Sequence, residues 1–456
     1  MEILTTIFYF IIVIGILVFA HEFGHFIAAR LTKTRAEVFA IGMGPRLFGY
    51  NKVNGFTFGK LSNDIELGDN TDFRICAFPI GGYVKIAGMI DESMDKKILT
   101  TEPQPWEYRS KPVLQRMFII TAGVVMNLIL AFLVFYALSI FKGKTLTETT
   151  TVGYISPGSV AESAGFKIGD KILSINSEKV QYWDDLQTLI YLENLGRPLE
   201  FQIERNGNTF NILIPKENLK DLSEKSIGIY PDKIIPVINE VIPNKPAEKI
   251  GLTKGDIITE FAGEQILNSQ KLVDLIKAHK EQETEIKWLR DGKIFSAIVK
   301  PDSAGTIGIG ITSKYEGPSK VVTYNVLTAF PKAAKDMYFY GFEVFVKSIV
   351  KIIKGEVAFR KAIGGPIKIA QASAQSAEGG FFSFIGFLAL LSLSLAIINI
   401  LPFPALDGGH FVILLIEAVT RKPLSYKVQI AIQNIGFILL LAFMLFVIYN
   451  DIVSFK

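Results

Sequence analysis

Ile3–Ala29 reads ILTTIFYFIIVIGILVFAHEFGHFIAA. No residue from Ile3 to Ala20 carries a charge, and the apolar character resumes at Phe26-Ile27-Ala28-Ala29. A bilayer crossing needs roughly 20 apolar residues, so this run is read as a span. No positive charge precedes it and no small-residue cleavage site follows, which argues for a retained span rather than a cleaved leader. The interruption is HEFGH, His21 to His25. Polar and charged groups inside an apolar run are costly and mark function. On a helix, positions i and i+4 share a face, so His21 and His25 can grip one zinc ion. Glu22 is placed to accept a proton from a water at that metal. The five-residue pattern alone also fits an interfacial helix with polar ends; its position inside the span favours the metal.

The rest of the chain narrows the chemistry. Of 456 residues, 49% are hydrophobic and only 20% charged, with mean hydropathy +0.34. The formal charge is +4 and no long basic run occurs, so nucleic acid is not an expected partner. The single cysteine, Cys76, excludes an internal disulfide and a zinc site of several thiolates. The histidines are His21, His25, His279 and His410. Further apolar runs at about 117–141, 381–406 and 428–449 make four expected spans, with the lipid bilayer as solvent. Arg30, Lys33 and Arg35, then Arg109, Lys111 and Arg116, then Arg421, Lys422 and Lys427 mark the intervening loops as cytoplasmic. Both termini and the segment 142–380 then fall on the other side. The first and third spans run in the same direction, which puts HEFGH and Asp407-Gly408-Gly409-His410 at similar depth near the cytoplasmic face. A carboxylate completing a two-histidine site leaves the open position of a catalytic zinc. The other reading of Asp407 is a helix cap after Pro402 and Pro404; the shared depth favours the metal. His279 lies in a charged helix beyond the membrane and is expected to be solvated.

Two stretches of the large loop repeat each other. YISPGSVAESAGFKIGDKILSIN (Tyr154–Asn176) matches VIPNKPAEKIGLTKGDIITEFAG (Val241–Gly263) in order of strand, turn, short helix and strand. Arg205-Asn206-Gly207 and Arg290-Asp291-Gly292 mark later turns in each. The pattern is similar to two tandem PDZ domains of the bacterial type, expected at 142–222 and 223–315. Ile227, Gly228 and Ile229, ahead of the second copy, are read as a loop for peptide C-termini. Equally open is a role as spacers or steric gates. Residues 316–380 suggest amphipathic helices on the membrane surface.

HEFGH in a first span, Asn399, Pro402, Leu406, Asp407 and Gly408 as NxxPxxxLDG in a later one, and PDZ repeats between them resemble the site-2 protease family. Phe78-Pro79-Ile80-Gly81-Gly82-Tyr83-Val84-Lys85 and Arg109-Ser110-Lys111-Pro112 also match its pattern. The resemblance implies a polytopic α-helical membrane protein with four transmembrane helices. A membrane-associated β-hairpin at 36–90 and two PDZ domains outside the membrane complete that fold. The protease core is divided between 1–141 and 381–456. It implies one Zn2+ per chain on His21, His25 and Asp407, with Glu22 as general base. Asn399 and Pro402 would hold the substrate backbone. Arg74, Ile75, Cys76, Ala77 and Phe78 would pair with an unwound substrate strand. The implied setting is the bacterial inner membrane. The implied substrates are single-span membrane proteins trimmed beforehand, such as an anti-sigma factor or a remnant signal peptide. The polar stretch Gly55–Asp72, with Asn63, Asp64, Glu66 and Asp69, departs from the family pattern. A non-catalytic PDZ adaptor is the competing class; it has no use for HEFGH or LDG. A zinc transporter would place polar groups at several depths rather than one.

Overall fold

The computed structural model describes residues 2–61, 67–89, 102–194, 197–219, 226–354 and 364–454. Asn63, Asp64 and Glu66 lie outside the described residues. The chain divides into two units, one of 1–143 with 323–456 and one of 144–322.

Among the described residues the first unit holds four helices long and apolar enough to cross a membrane: Glu2–Leu31, Val113–Phe141, Phe381–Asn399 and Tyr426–Ser454. A helix satisfies its backbone internally, which hydrocarbon demands. Their outward faces stay apolar, with Leu133 54% and Ile438 63% exposed. Inward faces use small residues to bring backbones close. A Cβ on Gly24 would sit 2.2 Å from the Ala122 carbonyl oxygen, so the first two helices cross where only glycine fits. Val13, Leu17 and Leu388 join the first and third long helices, and Ala131, Phe135, Ala389 and Leu393 join the second and third.

The third span expected at 381–406 is shorter. Its helix stops at Asn399, and Asp407–Thr420 starts another. Pro402 and Pro404 lack amide hydrogens and disfavour helix before them, and Ala405 is left-handed at φ 73°. Gly408 and Gly409 let the turn fold over the new helix. Cβ atoms there would lie 2.2 and 2.3 Å from the carbonyl oxygens of Leu401 and Phe403.

The hairpin region is a sheet of Ala36–Asn51, Gly55–Phe58 and Asp72–Ile86. Both long strands fold back, at Gly42 and Gly44 (φ 82° and 87°) and at Gly81 (φ 74°). Ile75 therefore pairs with Ile41 on one side and Phe48 on the other, and Arg74 with Ala40 and Gly49. Gly82–Ile86 pairs with Ala36–Ile41 alone among the described residues.

The second unit contains two repeats of one plan. In the first, Asp170 is fully buried and accepts from Arg205 at 2.6 and 2.7 Å, while Arg205 also donates to the Gly165 carbonyl. In the second, Asp256, Arg290 and Gly251 reproduce this set at 2.6 to 2.7 Å. The expected boundary after residue 222 moves. Strand Ile229–Pro231 pairs with Val152–Ile155, and Ile227 and Ile229 are buried in the first core. The second repeat starts at Ile234–Val241 and ends the same way, with Ile307 in its core and strand Ile309–Tyr315 paired to its first strand. Ile227-Gly228-Ile229 thus closes the first repeat, because those isoleucines fill its core rather than leading the second. The unit begins and ends in one ribbon, Lys144–Thr147 with Ser319–Val322. The region expected at 316–380 therefore starts in this ribbon. Helices Val326–Tyr338, Lys347–Ile353 and Pro366–Glu378 follow in the first unit. Along Val326–Tyr338, Ala329 and Ala333 are buried while Leu327 and Phe330 are exposed.

Candidate metal centre

His21, Glu22 and His25 lie on the first long helix, and Asp407 opens the helix Asp407–Thr420. The structure brings His21, His25 and Asp407 together. Nε2 of His21 and Nε2 of His25 stand 3.2 and 3.5 Å from Oδ2 of Asp407, and 3.3 Å from each other. Zinc bonds of ~2.0–2.1 Å at tetrahedral angles put ligand atoms about 3.3 Å apart. Oδ2 of Asp407 is buried and has no hydrogen-bond partner. A buried carboxylate oxygen left unpaired is costly unless a cation faces it, so the donor set fits zinc.

The surroundings fix both rings. His25 Nδ1 lies 2.9 Å from the Ile119 carbonyl oxygen, which assigns the proton to Nδ1 and leaves Nε2 for a metal. His21 Nδ1 lies 3.2 Å from the side-chain amide of Asn127, a fully buried residue of the second long helix. The Asn127 Oδ1 is buried without a partner. Exchanging the amide's O and N lets that oxygen accept the His21 Nδ1 proton, which leaves His21 Nε2 for a metal. The Asn127 carbonyl in turn accepts from Ser392 Oγ at 2.8 Å, tying the third long helix to the same point. A Cβ on Gly123 would reach 2.4 Å from His25 Nε2 and 2.7 Å from His21 Cε1. The second helix is bare there, where the ligand nitrogens converge. Neither Asn127 nor Gly123 emerged from motif reading; an asparagine inside an apolar span was the available signal.

Glu22 meets the sheet. The Val84 amide donates to its carboxylate, and a Cβ on Gly82 would lie 3.6 Å from Glu22 Cγ. The strand nearest the base is thus Gly82–Ile86. In the stretch Arg74–Phe78, expected to take a substrate strand, Arg74 and Ile75 are paired on both sides and Cys76 is buried, while Phe78 pairs with Met43 and is exposed. Asn399 is half-buried at the end of its helix and Pro402 is exposed in the turn before Asp407. His410 sits outside the ligand group, 3.0 Å from the Gln433 amide of the fourth long helix. His279 is half-buried in the second unit, with Nδ1 2.9 Å from the Leu275 carbonyl at the end of its helix.

The family model described as peptidase family M50 matches residues 9–443. The chain belongs to peptidase family M50. This is the site-2 protease family, and the protein is a zinc metalloprotease acting in regulated intramembrane proteolysis. The regulator of sigma E protease of Haemophilus influenzae is 30% identical over 462 residues, covering 97% of each chain. The regulator of sigma-E protease RseP of Salmonella typhimurium is 31% identical over 471 residues, again covering 97% of each. The solved PDZ domain of the SdrC-like protein of Listeria monocytogenes aligns with 17% of this chain and 85% of its own, at 30% identity and TM-score 0.16. Membership in this family disfavours the adaptor reading, which has no use for a peptidase centre.

Proposed function

We propose that His21, His25 and Asp407 hold one zinc ion per chain and that Glu22 is the general base of peptide-bond hydrolysis within the membrane. The observation that carries this is the approach of His21 Nε2, His25 Nε2 and Asp407 Oδ2 to 3.2 to 3.5 Å of one another, with that buried oxygen lacking a hydrogen-bond partner. When bound, zinc lowers the pKa of water to ~7 from 15.7 and polarises the scissile carbonyl. Glu22 takes one proton from the attacking water and delivers it to the amine as the C–N bond breaks. Asn127 and the Ile119 carbonyl hold the two imidazoles in the ligating tautomer.

The substrate is a single-span membrane protein already trimmed outside, an anti-sigma factor or remnant signal peptide being the expected kinds. A spanning helix hides its amides and must unwind to be cut. The edge Gly82–Ile86, beside Glu22, is the place for the unwound strand to pair. Asn399 and Pro402 line the turn before Asp407 and hold the substrate backbone. The two repeats are tandem PDZ domains. This reading is supported by the duplicated buried Asp–Arg pairs and by the shared Ile-Gly-Ile ending. The protein lies in the inner membrane, with both termini and the repeats outside and the metal near the cytoplasmic face. Loop charges support that orientation. The test is Glu22→Gln, purified in detergent. It should keep about one zinc and lose ~10²–10⁴ in cleavage of a transmembrane substrate. Undiminished cleavage would remove Glu22 from the role of base.

A further inference from the structure

We propose that Arg116 and Glu417 are positioning residues for the metal centre: their ion pair sets the register of the helix that presents Asp407 against the second long helix. This rests on the zinc reading above.

The second long helix aligns two of the three ligands directly. The Ile119 carbonyl holds His25 and the Asn127 side chain holds His21, with Gly123 bare between them. Oδ2 of Asp407 lacks a hydrogen-bond partner. Nor does a continuous helix carry it. The third long helix stops at Asn399, and a turn with Pro402, Pro404 and the left-handed Ala405 comes between. Such a turn leaves the next helix free to slide or rotate unless something else fixes it. Asp407 is the first residue of that helix, and Glu417 lies in its last turn.

At Glu417 the second long helix takes hold. Nη2 and Nη1 of Arg116 donate to Oε1 and Oε2 of Glu417 at 2.5 and 3.1 Å, a two-pronged contact between residues 301 apart in sequence. Arg116 Nε donates to the Lys111 carbonyl at 3.0 Å, and the guanidinium carbon lies 6.0 Å from the centre of the Tyr108 ring. Only 14% of the Arg116 side chain and 10% of the Glu417 side chain are exposed, so water competes little for the pair. A planar fork fixes angle as well as distance. Arg116, Ile119, Gly123 and Asn127 follow one another at steps of three, four and four, which is one face of a helix. That face therefore addresses all three ligands: His25 and His21 at their rings, and Asp407 through the far end of its helix. Arg116 to Gly123 is about 10 Å of helix and Asp407 to Glu417 about 15 Å, and the long arginine side chain spans the difference.

The pair is poorly placed for helix stability alone. Arg116 is in the first turn of its helix and Glu417 in the last turn of its own, and each end favours the opposite charge. A buried ion pair often stabilises no more than an apolar pair of similar volume. What it adds is direction. Advancing the helix by one residue, about 1.5 Å and 100°, breaks both hydrogen bonds and carries the Asp407 carboxylate away from the two Nε2 atoms.

The test uses the full chain in detergent and reads zinc retained against a competing fluorescent chelator, melting temperature and helical circular dichroism together. Glu417→Gln should weaken zinc binding about tenfold. It also leaves the Arg116 charge uncompensated and should lower the melting temperature, so two double variants separate the causes. Arg116→Met with Glu417→Leu should restore the melting temperature and still hold zinc about tenfold less well. Arg116→Glu with Glu417→Arg, which puts each charge at the helix end that favours it, should restore both. Zinc retention that follows the melting temperature through every variant, or that stays at the wild-type value in all of them, would overturn the positioning role. A wild-type chain that holds no zinc would instead remove the metal reading itself.

Discussion

The two imidazoles at the centre differ in what holds them. His25 is fixed by a backbone carbonyl, which no substitution removes, and His21 by one side chain, Asn127. Asn127→Ala should therefore weaken zinc binding about 10–100-fold, measured as zinc retained against a competing chelator. Asn127→Asp, which keeps an acceptor, should recover part of it. A merely structural role for Asn127 would lower the melting temperature and leave the chelator competition unmoved. Gly123→Ala tests the space itself. Its Cβ, 2.4 Å from His25 Nε2, should cut zinc retention by a similar factor with the helices intact, as read by circular dichroism. His21 and His25 are legible in the sequence because i, i+4 spacing places both on one helix face, and Glu22 because it adjoins the first of them. Asp407 is legible through depth, since spans running the same way bring distant residues to one level. Gly123 was not, because a glycine's meaning depends on what faces it.

Among the elements, the second repeat holds carboxylates below their ordinary values, and acid should expose this. Burial pushes the Asp256 carboxyl up, but hydrogen bonds from Arg290 and the Thr253 amide outweigh it and hold it below its ordinary value. Hydrogen bonds from the Thr306 amide and hydroxyl, then Lys245, hold Asp302 down to about 2. A depressed carboxyl stabilises the fold above its unfolded pKa, ~3.9, and that contribution is lost as pH falls toward the folded value. The second repeat should lose stability between roughly pH 4 and 2, seen in the fluorescence of Trp288, which is buried in its core. Asp256→Asn should lower the melting temperature of this repeat by about 5 °C at neutral pH and flatten part of the acid limb. A melting temperature and acid limb matching the wild type would deny the buried pair any part in stability. The strand order of the membrane sheet shows the limit of local reading. Alternation and glycines announce strands, but not that Ala36–Asn51 folds back to pair with Arg74 and Ile75 on both sides.

For the molecule as a whole, the unit 144–322 is an insertion closed by its own ribbon, Lys144–Thr147 with Ser319–Val322. Chain ends that meet in one ribbon need no outside partner to hold them together. Residues 144–322 expressed alone should fold as a soluble protein with cooperative unfolding. Replacing them by a short flexible linker should leave zinc content and helicity unchanged and broaden the range of substrates cut. Loss of zinc from that deletion would show instead that the metal centre depends on the repeats. The sequence by itself determined the four apolar helices, the HEFGH and LDG motifs, and the duplication. Hydropathy length, helix periodicity and repeated spacing are local properties written along the chain. Only the tertiary structure decided which strand edge meets Glu22, which repeat owns Ile227-Gly228-Ile229, and that Gly123 and Asn127 on the second helix lie against His21 and His25. Each depends on a close approach between segments far apart in sequence, and steric room and hydrogen-bond partners exist only once those segments have packed.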